Sequence, residues 1–155
     1  MTLPITMRSC LIVFLISSIL IACAGNLFAQ TDDQKVVRRV TAGQVNGVWR
    51  FYKSTFRVLD LGNHKLKIQF SGVYENIVKN VNIGYTEGVA TVEGNVATLV
   101  PEGSPNCKFT MTFLPGKLVV KQDGADYECG FGHNVYATGT YKRIRSGRPK
   151  FQPPP

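Results

Sequence analysis

Reactive side chains are scarce in this chain. Among 155 residues there are two His, four Cys and one Trp, and only 18% of residues are charged. His64 and His133 stand apart, and neither belongs to a helical His-Glu-x-x-His metal motif. Cys129 to His133 holds one Cys where haem attachment needs two. A triad of Ser71, His133 and Glu75 can be written down, but no nucleophile-elbow sequence accompanies it. Carboxylate pairs among Glu75, Glu87, Glu93 and Glu102 have no distinguishing spacing either. The expectation is therefore a protein that is not an enzyme and carries no cofactor or metal. Apolar runs are short as well. The longest, Cys10 to Ala22, falls below the ~20 residues of a membrane-crossing helix. No full unit repeats.

What the chain does have is turn formers and β formers. Fifteen Gly and eight Pro accompany nine Phe and six Tyr, and hydrophobic residues reach 44%, too many for a wholly disordered chain. The N-terminal run has the length of a secretory signal core. Ala29 before Gln30 suits cleavage to a soluble form, giving a signal peptide over 1–29. Leu20-Ile21-Ala22-Cys23 suits a lipoprotein signal over 1–22, with Cys23 lipidated. An uncleaved anchor is the third reading. The first two place the domain outside the cytoplasm, in the periplasm or beyond the cell.

The formal charge of +8 is unevenly spread. From Asn46 to Tyr141 nine basic residues nearly balance eight acidic ones. Lys142, Arg143, Arg145, Arg148 and Lys150 then crowd the C-terminal end. A nucleic-acid groove would spread Lys and Arg over a folded face among stacking aromatics, so nucleic acid is not an expected partner. Residues 145–155 read as a basic, Pro-rich, disordered tail. It serves either for solubility or for contact with an anionic lipid or cell-wall surface.

After a polar lead over 30–45, the pattern is one of short strands. Trp49 and Phe51 alternate with Arg50; Leu66, Ile68 and Phe70 alternate with Lys65, Lys67 and Gln69. Phe56 to Leu61 is another run, ended by a turn at Gly62-Asn63. Gly94-Asn95 joins two β-rich runs as a tight hairpin, and Pro115-Gly116 suits the centre of a type II turn. Tyr74 to Val81 is read as one or two helical turns, and Tyr136 to Ile144 as a closing strand. The sum is an all-β domain over 46–144: a small antiparallel barrel or sandwich of about seven to nine strands with at most one short helix.

Cys10 and Cys23 fall in the export segment, leaving Cys107 and Cys129 to form one disulfide in an oxidising compartment. Next to it, Gly130, Phe131, Gly132, His133 and Asn134 form an unusual loop. Its glycines permit either a structural corner with Phe131 tucked inward or an interaction loop at the barrel mouth.

Gly47-Val48-Trp49 on the first strand, with Arg143 on the last, resembles the Gly-x-Trp motif of lipocalins and other calycins. The resemblance implies that Trp49 closes one barrel end with Arg143 packed over its ring. It also implies a carrier of a small apolar ligand, lined by Phe51, Ile68, Phe70, Phe109, Met111 and Leu118. Those residues would otherwise fill the core. The chain is also similar in kind to the small exported lysozyme-inhibitor barrels of bacteria. That likeness implies an envelope protein such as a lysozyme as the partner. A secreted hydrolase without a motif is the third expectation.

Overall fold

A computed structural model describes residues 39–155. The expected signal segment and the lipidation site Cys23 lie outside the described residues. Eight strands follow one another as β1 (Gly47–Phe51), β2 (Ser54–Gly62), β3 (Lys65–Glu75), β4 (Val81–Glu93), β5 (Val96–Leu99), β6 (Lys108–Leu114), β7 (Lys117–Asp123) and β8 (Gly139–Ser146). Each pairs antiparallel with the next, and β8 returns to β1, so the sheet is a closed eight-stranded antiparallel barrel. Closure removes both sheet edges, which an open sheet would leave unpaired.

Alternation drives the arrangement. Along β3, Leu66, Ile68 and Phe70 point inward, and Phe109, Met111 and Phe113 do the same on β6. Expected hairpins form at Gly94-Asn95 and Pro115-Gly116, where Glu93 pairs with Val96 and Leu114 with Lys117. Two expectations shift. The β2–β3 turn is centred on Asn63-His64, both in the left-handed region (φ 47° and 60°), as a two-residue hairpin turn requires. Tyr74 to Val81 forms no helix. Strands β3 and β4 extend into it, and Asn76 ends the hairpin by accepting from the Val78 and Asn80 N–H groups. An Asx turn here competes with helical hydrogen bonding.

The two barrel ends close differently. At the first end the short helix α1 (Ala42–Val45) lies under Trp49, whose indole N–H donates to the Val45 carbonyl at 3.0 Å. Trp49 pairs across strands with Arg143, whose guanidinium carbon sits 4.7 Å from the indole centroid. That guanidinium also donates to the Gly43 and Gln44 carbonyls, tying α1 to β8. The end of the polar lead is thus part of the fold, with Val45 fully buried.

The C-terminal segment is likewise packed, contrary to the expectation of a disordered tail. Pro149 is buried, and the Gln152 backbone exchanges two hydrogen bonds with the Gln69 side chain, 2.8 and 3.0 Å long. Lys67 holds its ammonium 4.7 Å from the Phe151 ring centroid. This cover explains why Gln69, an outward-facing residue of β3, is only 1% exposed. A Gln side chain carries the same donor and acceptor as a peptide unit, so it pairs the tail as a neighbouring strand would.

Candidate functional site

The second barrel end carries the features of a site. Four connections meet there: the β1–β2 and β3–β4 hairpins, residues 100–107, and the long β7–β8 connection over 124–138. Within the last, Tyr127–Cys129 forms one 3-10 turn and Cys129 is joined to Cys107. The predicted disulfide therefore ties the start of β6 to this connection, with Cα atoms 5.0 Å apart.

Phe131 does not face solvent. It is buried, with its ring centroid 5.1 Å from that of Phe70 and 6.0 Å from that of Phe109. Val135 and Ala137 are buried beside it. The structural-corner reading of the loop holds for Phe131, while His133 and Asn134 are exposed. Glycines make the insertion sterically possible. A Cβ at Gly84 would lie 2.7 Å from Val135 and 2.9 Å from Phe131, closer than real contacts permit. Gly132 donates to the Ile83 carbonyl at 2.9 Å and Asn82 donates to that of His133 at 2.7 Å, stitching the loop to β4.

Asp126 organises the rest. Its buried carboxylate accepts from the Asn134 N–H at 2.7 Å and the Tyr127 N–H at 2.8 Å, with His133 Nδ1 at 3.4 Å. The Asn134 bond, aided by the Tyr127 bond and His133, holds its carboxyl below the usual carboxylate range against the opposing effect of burial.

The six residues expected to line a ligand cavity are core. All but Phe51 are fully buried. They pack in one core with a column of rings in which Phe56 meets Phe70 and Tyr141, each at 4.9 Å, and with a separate pair in which Trp49 meets Phe113 at 6.0 Å. The main clefts open on the surface, and none is lined by Ile68, Phe70, Phe109, Met111 or Leu118.

Phe51 borders one of these clefts, a space of about 410 Å3 between the β1–β2 hairpin, the end of β3 and residues 134–138. Tyr52, Tyr74 and Tyr136 rim it, beside the Lys53–Glu75 ion pair. Tyr52 is 85% exposed and held in the left-handed region at φ 48°. For a bulky residue that conformation costs on the order of 1–3 kcal/mol, which the hairpin must sustain. Beyond the cleft the β3–β4 hairpin ends in Ile77, 99% exposed, and Val78. Neither the rim tyrosines nor this tip stood out in the sequence, because Tyr52 and Tyr136 lie in connections and Tyr74 near a strand end, where exposure is decided only when the barrel closes.

Residues of the notional triad are separately engaged. Glu75 pairs with Lys53, His133 lies against Asp126, and Ser71 meets the Arg57 guanidinium at 3.5 Å on the outer wall. Among the described residues no group of three or more His, Cys, Asp or Glu converges as a metal site would need. No protein family, curated protein or solved structure matches the chain.

Proposed function

We propose that this protein is an exported, non-catalytic binding module that meets an envelope protein with the outer surface of its second barrel end. One observation carries the reading: Phe131, Val135 and Ala137 fill the barrel mouth from within, while the same connection leaves a tyrosine-rimmed cleft outside. A carrier of an apolar ligand needs a hollow interior, and aromatic rings occupy that volume here. Tyr is enriched at protein interfaces because it offers a large rigid apolar face and one polar tip. The exposed Ile77 and Val78 enlarge the apolar area available to a partner. The Cys107–Cys129 bridge supports an oxidising compartment, and the Cys10 to Ala22 run supports export.

The specific form of this reading is a lysozyme-inhibitor-like role. Titration of the purified protein into a lysozyme by calorimetry tests it. Saturable binding that weakens about tenfold or more in Tyr52→Ala or Tyr136→Ala is expected, in line with the cost of losing an interface aromatic. A flat titration removes the lysozyme partner. Native mass spectrometry of the protein from its own membranes tests the alternative, and an apolar molecule held inside the barrel would restore the carrier reading.

A further inference from the structure

A second cleft, of about 540 Å3, lies on the barrel wall, where the C-terminal segment crosses β1, β2 and β8. Arg50, Arg57, Arg145 and Lys150 line it, with no carboxylate among the lining residues. Strand register explains the convergence. Val48 of β1 lies opposite Arg57 on one side and Arg145 on the other, and Arg50 follows two residues along on the same face. Arg57 and Arg145 thus spring from backbone positions about 10 Å apart, twice the interstrand spacing, with Arg50 beside them. Lys150 is positioned from both sides, by buried Pro149 and by the pairing of Gln152 with Gln69.

These cations have no ionic partners within the described residues. The salt bridges there are Lys53–Glu75, Lys108–Asp123, Lys121–Asp123 and His133–Asp126. Glu87, two strands over from Arg57, is held by the Tyr85 hydroxyl and the Gln69 amide. Partial burial, reinforced by the Arg50 charge, presses the Arg57 guanidinium below its ordinary value. Four like charges gathered by the fold without counter-charges repel one another, and a multiply charged anion relieves that repulsion.

We propose that this groove binds a ligand bearing closely spaced phosphate groups. Guanidinium forks match phosphate oxygens bidentately, and each phosphate brings one to two negative charges into a small volume, which answers four clustered cations better than widely spaced carboxylates do. The proposal is independent of the tyrosine cleft, which lies at the barrel end and shares none of these cations.

Inorganic tripolyphosphate is the probe, titrated at low salt into the purified protein and its variants. Saturable binding is expected. It should fall about tenfold or more in the double variant Arg50→Gln/Arg57→Gln, as for loss of charge-assisted hydrogen bonds, and stay unchanged in Lys117→Gln, an exposed cation outside the groove. Thermal unfolding without ligand checks that the double variant is folded, and Lys150→Gln provides a second variant that removes no sheet residue. Vesicles of phosphatidylglycerol identify the source. Vesicle binding displaced by tripolyphosphate assigns the groove to lipid headgroups; tripolyphosphate binding without vesicle binding assigns it to a soluble phosphate chain. Absence of saturable binding, or equal losses in Lys117→Gln and the double variant, overturns the proposal.

Discussion

Single side chains at the second barrel end have sharply different consequences when altered. Phe131 contacts two rings of the column, so Phe131→Ala should cost about 3–5 kcal/mol in denaturant unfolding, the range for a buried aromatic. The same change should open an apolar hollow at the mouth, and xenon or benzene binding would detect it in the variant but not in the parent. At Gly84 the change runs the other way. An added methyl meets Val135 and Phe131 inside contact distance, and Gly84→Ala should lose about 1–3 kcal/mol by overpacking. Tyr141 is fully buried and donates to the Ala137 carbonyl at 2.8 Å; burial also pushes its phenol pKa up. Tyr141→Phe leaves that carbonyl without its partner, an expected loss of about 1–3 kcal/mol.

The connection between β7 and β8 behaves as one element fastened at three places: the disulfide, the Asp126 carboxylate and the backbone bonds to β4. Cys107 and Cys129 are 22 residues apart in sequence, a loop whose closure is worth roughly 3 kcal/mol in the chain-entropy treatment. Replacing both with Ser should lower unfolding stability by about that amount and increase amide exchange at Phe131 and Asn134. Asp126 adds a pH dependence of defined sign. Its folded pKa is depressed, so its contribution is complete above the unfolded carboxylate value of about 3.9 and is lost as pH falls below it, through the lower folded value. Amide exchange of Tyr127 and Asn134 followed into acid should show the loop loosening in that window. In Asp126→Asn the loosening should be present at neutral pH and no longer titrate there.

For the molecule as a whole, closure through β1 and β8 joins the two termini of the domain to one wall. Residues 147–152 then extend this wall rather than leaving it, so basic residues remote in sequence share a face with Arg50 and Arg57. A whole-chain consequence follows for Gln69. Gln69→Ala removes both hydrogen bonds to Gln152, and the tail should become accessible to proteolysis while the barrel keeps its circular dichroism spectrum.

Alternation in β3 and β6, the Gly94-Asn95 and Pro115-Gly116 turns and the pairing of Cys107 with Cys129 were legible along the chain, because each depends on neighbours in sequence or on counting thiols. The Trp49–Arg143 contact was legible through the Gly-x-Trp resemblance. Helix over Tyr74 to Val81 was misread because apolar spacing is ambiguous in so short a run, and an Asx turn at Asn76 wins locally. Other properties had no local signature. Whether the interior is hollow depends on Phe131 entering against rings from two distant strands; whether the tail is free depends on an amide 83 residues away. Volume, exposure and the meeting of like charges are properties of surfaces brought together in space. They come into being when the barrel closes, and periodicity along the chain carries no record of them.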